Sequence, residues 1–126
     1  MYKSVVLNSE ISKVLSGLGH GDCIVIGDCG LPIPDGVKRI DIALKPGTPS
    51  FEETYKVVAE SMYAEKQVYA KEVSDAGLKE VFQDDIPSEQ VSHEKLKEMS
   101  KGAKAVIRTG DTTPFANVIL YSNVFF

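Results

Sequence analysis

The sequence predicts an α/β fold: a three-layer α/β/α sandwich with a central, mostly parallel sheet, as a single domain over residues 1–126. Three observations carry this. Segments of helical and strand periodicity alternate along the chain, the pattern of helices laid over a sheet. The run Cys23-Ile24-Val25-Ile26 is apolar or small on both faces, as a strand covered on both sides requires. Finally, 126 residues at 43% hydrophobic content are enough for one core and too few for two.

The elements follow in order. Asn8 or Ser9 can cap a first helix, in which Ile11, Val14, Leu15 and Leu18 recur at helical spacing. Gly19 is expected just past its end, where a left-handed backbone is wanted. After the Cys23–Ile26 strand, Leu31-Pro32-Ile33-Pro34-Asp35-Gly36 is a stiff loop. Val37–Leu44 alternates, with Ile40, Ile42 and Leu44 on one face and Arg39, Asp41 and Ala43 on the other, so it reads as a strand. Arg39 and Asp41 share a face and are expected to form an ion pair.

Ser50-Phe51-Glu52-Glu53 is a capping box that opens a second helix with the stripe Phe51, Tyr55, Val58 and Met62. Lys66–Ala70 reads as a strand, and a third helix is predicted between Ser74 and Phe82 despite Gly77. Glu89–Val91 is a short strand, after which Ser92 caps a helix carrying Leu96 and Met99 and ending near Gly102. Ala103–Ile107 is the last buried strand, and it runs into a polar, turn-rich loop from Arg108 to Asn117. Val118–Leu120 and Val124–Phe126 are expected to close the fold as a pair of strands. The apolar tail should be covered by its own core or by a neighbouring subunit.

Composition narrows the function. A net charge of -4 without blocks of like charge gives no footing for nucleic acid or a membrane surface. No apolar stretch is long enough to span a bilayer, and Met1-Tyr2-Lys3-Ser4 does not open a signal peptide, so a cytoplasmic protein is expected. The only two cysteines, Cys23 and Cys29, lack zinc spacing. The glycines match no nucleotide-binding fingerprint, and no metal or cofactor site is predicted. What remains is proton chemistry carried by His20, His93, Asp28, Arg39, Asp41 and Asp111, with Asn117 as an amide hydrogen-bonder. His20 and Asp28 flank the buried strand. His20 follows the negative end of one helix and His93 opens the positive end of another. Such an inventory suits proton shuffles on a small polar molecule: enolisation, lactonisation, or sugar ring opening and closing.

Several segments occur here in one order: Val6-Leu7-Asn8-Ser9, Leu18-Gly19-His20-Gly21-Asp22, Asp28-Cys29-Gly30-Leu31-Pro32-Ile33-Pro34, Arg39-Ile40-Asp41, Ser92-His93-Glu94, Val106-Ile107-Arg108-Thr109-Gly110 and Thr113-Pro114-Phe115-Ala116-Asn117, ahead of Val124-Phe125-Phe126. The set resembles the ribose pyranase/fucose mutarotase family over nearly the whole chain, and Gly-Leu-Pro-Ile-Pro and Arg-Ile-Asp look like its ribose branch. The resemblance implies a cofactor-independent isomerase interconverting the pyranose and furanose forms of D-ribose in the cytoplasm. It implies His20 as the proton donor and Asp28, His93, Phe115, Ala116 and Asn117 as sugar-binding residues. It also implies a homo-oligomer, commonly a decamer of two pentameric rings, with sites at subunit boundaries. Three departures stand out: Phe115 where the family usually has Tyr, Asp111 where Glu is common, and a segment from about Ser74 to Gln90 that looks short. The alternatives are a mutarotase for another sugar such as fucose, and a sugar-binding ring protein without turnover.

Overall fold

A computed structural model describes all 126 residues, Met1–Phe126. Six strands form one sheet in the order β2-β5-β1-β6-β3-β4, where β1 is Cys23–Gly27, β2 Lys38–Asp41, β3 Ala64–Ala70, β4 Ser88–Val91, β5 Ala105–Arg108 and β6 Val118–Ser122. β1 pairs parallel with β5, β5 with β2, and β3 with β4; β6 alone runs backwards, between β1 and β3. The three helices are α1 (Ser9–Ser16), α2 (Phe51–Glu60) and α3 (His93–Met99).

All five residues of β1 are buried. Their alternation divides the core, because successive side chains of a strand point to opposite faces. Ile24 and Ile26 join the larger cluster with Ile11 of α1 and Phe51, Tyr55 and Val58 of α2. Cys23 and Val25 join the smaller one with Leu31, Val106, Ile119 and Leu96 of α3. Helices thus cover both faces, and the expected three-layer arrangement is present. Burial, with Asp22 second, pushes the Cys23 thiol up from its ordinary value, as befits a core residue.

The caps form as the sequence suggests. The Asn8 side chain accepts from Ile11 N, that of Ser50 from Glu53 N, and that of Ser92 from Lys95 N. The first helix nevertheless stops at Gly17, whose N–H bonds back to Val14 O at 3.1 Å. Gly19 lies outside it and donates instead to Asp22 Oδ2 at 2.8 Å. The second strand is shorter than the alternation suggested. Asp41 Oδ1 accepts from Ala43 N at 3.1 Å, which turns the chain away and leaves Leu44 79% exposed.

Two other expectations are corrected. No α-helix forms between Ser74 and Phe82; the segment holds two short 3₁₀ turns, Lys71–Ser74 and Lys79–Val81, with Gly77 at φ 72° between them. Side chains rather than a helical ladder fasten it. Phe82 stacks on Tyr69 with ring centroids 4.1 Å apart and meets Tyr55 edge-on at 5.5 Å. The fully buried Gln67 accepts from Tyr55 Oη at 2.5 Å, and its amide donates to Gln83 O and Ser88 Oγ, each at 2.9 Å. Second, Val124–Phe126 is not a strand. Asn123 Oδ1 takes up the Val124 N–H at 2.9 Å, and the tail leaves the sheet with Phe125 leaning on Tyr63 at 4.8 Å. Within the chain this tail is not covered: Phe125 and Phe126 are exposed.

Replacing Gln67 by Leu would take the acceptor from the buried Tyr55 O–H, whose oxygen still accepts from Gln83 N at 3.0 Å, and the donor from the half-buried Gln83 carbonyl, at roughly 1–3 kcal/mol for each group left unpaired. Urea denaturation of Gln67→Leu is therefore expected to show a clearly lowered midpoint with an unchanged slope. A midpoint equal to that of the unsubstituted protein would refute this role for the network.

Candidate active site

Polar groups converge at the carboxyl edge of the sheet, where β1 and β5 end and the reversed β6 begins. The reversal matters because Ile26 stands opposite Val118, so Asn117, one residue earlier, meets the chain just beyond Gly27. Asn117 Oδ1 accepts from Asp28 N at 2.9 Å. This contact orients the amide and turns Nδ2 the other way. Asn117 Nδ2 is buried and has no hydrogen-bond partner within the chain. Gly27 makes the approach possible, since a Cβ there would fall 2.6 Å from Leu31 Cδ2 and 3.2 Å from Asn117 Oδ1. Asp28 is half-buried, and its Oδ1 accepts from Gly30 N at 2.8 Å.

His93 is the first residue of α3, and its N–H donates to Glu72 Oε2 at 3.1 Å. β4 carries it to the same edge, since Val91 pairs with Ala70 at the carboxyl end of β3. Its ring meets Phe115 edge-on, with centroids 5.1 Å apart. His93 Nδ1 is the second buried polar atom without a partner in the chain. Buried polar atoms are nearly always paired, and leaving one unpaired costs about 1–3 kcal/mol. Phe115 has φ 66°, a left-handed backbone that a bulky side chain adopts only when its surroundings enforce it. The next residue, Ala116, is fully buried and Asn117 N bonds to Phe115 O at 2.8 Å, so the strained turn delivers the amide to Asp28. Asp28, His93, Phe115, Ala116 and Asn117, five of the six residues named from sequence, are thus assembled along one edge.

The loop from Arg108 to Asn117 is braced at several points. Thr109 Oγ1 donates to Gly27 O at 2.8 Å, and Cys29 N donates to Asp111 O at 2.9 Å. Arg108 donates to Asp41 Oδ2 from Nε at 3.0 Å and from Nη2 at 2.5 Å, and to Cys29 O from Nη1 at 3.2 Å. The expected Arg39–Asp41 bridge is also present, at the longer distance of 3.6 Å. The Arg108 guanidinium holds the Asp41 carboxyl below its usual value. Gly110 lies flush against Thr48 and Lys45, whose carbonyl oxygens would collide with any Cβ.

Asp111 serves the scaffold. Its Oδ2 accepts from Phe51 N, at the start of α2, and its Oδ1 from Thr113 N, both at 2.8 Å. Burial pushes this carboxyl up, but the Phe51 and Thr113 donors outweigh burial and hold it below its ordinary value.

His20 is elsewhere. It precedes β1, whose five residues at about 3.3 Å each put roughly 16 Å of strand between it and Asp28. It is exposed, on the turn tied to the end of β6 by Gly21 N to Ser122 O at 3.0 Å. Its Nε2 lies 3.1 Å from Glu65 Oε1. A single chain therefore does not bring His20 to the other five. Sequence reasoning also missed Glu72 and Glu65, because neither belongs to a motif and each reaches its histidine only through strand pairing. No group of three or more His, Cys, Asp or Glu side chains is placed to hold a metal ion, and no helix is long and apolar enough to cross a membrane.

The fold and this edge define a small α/β protein of the kind that takes a small polar ligand where parallel strands end. Comparison with known proteins makes the assignment specific: the chain belongs to the RbsD / FucU transport protein family, whose model matches residues 1–125. It is 53% identical to a D-ribose pyranase of Exiguobacterium sibiricum and 56% identical to one of Bacillus cereus, each aligned over the full length of both chains. The structure of Bacillus subtilis RbsD complexed with D-ribose superposes with a TM-score of 0.92 at 48% identity, covering all of both chains. A fucose mutarotase from Streptococcus pneumoniae shares the fold, with a TM-score of 0.75 at 20% identity over the full length of both chains.

Because the Asp111 carboxyl is lowered on folding, the stability it contributes is fully present above the unfolded value of about 3.9 and is lost as pH falls through the folded value. Asp111→Ala is expected to be less stable at neutral pH by about 1–3 kcal/mol. The gap to the unsubstituted protein should close in strongly acidic solution. Urea denaturation from pH 7 into strongly acidic solution, below pH 3, checks this, and a gap independent of pH would refute it.

Proposed function

We propose that this chain is a D-ribose pyranase: an isomerase that interconverts the pyranose and furanose forms of D-ribose without a cofactor. The observation that carries the reading is full-length identity of 53–56% to proteins bearing that name. The close likeness to a structure complexed with D-ribose supports it. The edge described above suits the substrate. Asp28 offers a carboxylate, and Asn117 Nδ2 and His93 Nδ1 offer hydrogen-bonding atoms that the chain itself leaves unpaired. Phe115 supplies an apolar ring that a sugar's C–H face can cover, in place of a phenolic hydroxyl.

In the reaction, the C1–O5 bond of the pyranose breaks. His20 delivers a proton to O5 as the anomeric hydroxyl gives up its own, with Asp28 as acceptor, leaving the open-chain aldehyde. Attack of O4 on C1 then closes the furanose; O4 loses a proton and the former carbonyl oxygen gains one, so the proton count returns to its start. Acid–base assistance of this kind supplies roughly 10²–10⁴-fold. His20 does the work as the donor, while Asp28, His93, Phe115, Ala116 and Asn117 hold the sugar.

The separation of His20 from the other five is the reason for the second part of the reading: the site is completed across a subunit boundary. One copy supplies His20 and its neighbour supplies the carboxyl-edge residues, in a ring assembly of the family's kind, a decamer of two pentamers. The exposed aromatics Tyr63, Phe125 and Phe126 lie at the same end of the sheet as His20 and are suited to such a boundary. We place the enzyme in the cytoplasm, where ribose arriving by uptake meets the enzymes that phosphorylate it.

Saturation-transfer NMR of D-ribose measures ring exchange directly. His20→Ala is expected to abolish acceleration, and exchange at the unsubstituted rate would remove His20 from the mechanism. Co-expression of His20→Ala with His93→Ala tests the shared site. Each variant alone should be inactive, yet the mixed assembly should regain exchange wherever an intact His20 faces an intact His93. A mixture as inactive as its parts would place the whole site within one chain.

A further inference from the structure

We infer that Glu65 is a positioning residue for His20, holding the imidazole through Nε2 so that Nδ1 is the nitrogen presented to the sugar. The inference rests on the reading of His20 as the proton donor and extends it to a residue outside every motif in the sequence.

Glu65 reaches His20 because β3 is irregular at that one point. Ala64 pairs with Ser122 and Lys66 with Tyr121, so two steps along β3 answer one step along β6, and Glu65 is the extra residue of a β-bulge. Bulges re-aim side chains and collect near active sites. Here the effect can be read from the pattern. Gln67 and Tyr69 point toward α2, where Gln67 meets the Tyr55 hydroxyl. A regular strand would send Glu65 the same way, two residues before Gln67, beneath the helix. The bulge breaks the alternation and frees the carboxylate to meet the imidazole at 3.1 Å.

His20 is delivered to the same place by independent contacts. Gly21, at φ 86°, donates to Ser122 O at 3.0 Å, and Ser122 N donates to Asp22 O at 2.8 Å. Ser122 is also the residue opposite Ala64. The turn bearing His20 and the bulge bearing Glu65 are therefore registered on one residue. The other nearby carboxylate is committed elsewhere: Asp22 Oδ2 accepts from Gly19 N at 2.8 Å, and Oδ1 lies 3.9 Å from Lys104 Nζ. Glu65 is the carboxylate left to the histidine.

The chemical consequence follows from the two-ended imidazole. The hydrogen bond on one ring nitrogen decides which tautomer is held and which nitrogen is left for chemistry. With Nε2–H donated to Glu65, neutral His20 presents Nδ1 as an acceptor, and the imidazolium presents Nδ1–H as a donor. The same nitrogen can thus give a proton to the ring oxygen and take one back when the other ring closes. Nδ1 makes no hydrogen bond within the chain, whereas Nε2 is occupied. Glu65 itself touches no substrate.

Steady-state ring-exchange kinetics on Glu65→Ala, Glu65→Gln and His20→Ala, with the double variant Glu65→Ala/His20→Ala, test this. Glu65→Ala should lower kcat roughly 10- to 100-fold, as loss of an outer-shell orienting partner does, and leave KM nearly unchanged. Glu65→Gln, whose amide oxygen can still accept from Nε2–H, should recover most of the loss. The double variant should be no slower than His20→Ala alone, because a positioning residue has nothing left to position. An unchanged kcat in Glu65→Ala, a matching loss in Glu65→Gln, or a double variant slower than His20→Ala would each overturn the role of Glu65. If His20→Ala itself keeps full activity, it is the reading of His20 that falls. Melting temperature and elution volume, expected unchanged in Glu65→Gln, show that the comparison is made between folded assemblies.

Discussion

The buried strand Cys23–Gly27 is the constraint on which the rest depends. All five of its residues are buried and it is paired on both edges, parallel to β5 and antiparallel to β6. A strand so placed cannot slip by one residue without exchanging the contents of the two cores, because its side-chain period is two. Both ends of the strand are therefore held in place. At one end stands Asp28, at the other the turn carrying His20, and the strand length sets the distance between them. That distance exceeds the length of one small sugar, so within a single chain His20 and Asp28 cannot meet the same molecule.

The reversal of β6 organises the carboxyl edge. In an all-parallel sheet the chain would enter the strand beside β1 from the opposite edge. Running antiparallel, β6 starts where β1 stops, and the Asn117 amide can fasten the Asp28 backbone. The strain at Phe115 is the cost of making that turn in so few residues. Bracing by Arg108 and Asp41, the flush packing of Gly110 and the Asp111 contacts to α2 keep the loop from relaxing it. The charged groups of this loop thus support the geometry while Asn117 and His93 keep unpaired atoms available.

At the other end the same economy is visible on a smaller scale. One serine of β6, Ser122, registers both the turn after His20 and the bulge at Glu65. Exposed aromatic residues lie beside it. An exposed histidine, a carboxylate 3.1 Å from it and an uncovered apolar tail thus share one end of the sheet.

Local sequence determined a good deal. Caps at Asn8, Ser50 and Ser92 act over three residues and were legible as such, as were the two-sided apolar run at Cys23–Ile26 and the α/β alternation. His20, Asp28, His93 and Asn117 are candidates by residue type alone, whereas Phe115 and Ala116 are nameable only through family resemblance, and nothing in the spacing places His93 beside Phe115. A helix is expected between Ser74 and Phe82 despite Gly77, but aromatic stacking on Tyr69 and the Gln67 network hold that segment instead. Val124–Phe126 has strand composition, yet Asn123 satisfies its first N–H locally. The Arg39–Asp41 pair expected from their shared face does form, at 3.6 Å, but nothing local reveals that Arg108, 67 residues away from Asp41, meets the same carboxylate with two nitrogens. Sequence specifies what depends on neighbours a few residues apart. Only the tertiary structure decides which distant partner wins a hydrogen bond, where β6 reverses, and that Asn117 reaches the Asp28 end of the buried strand rather than the His20 end.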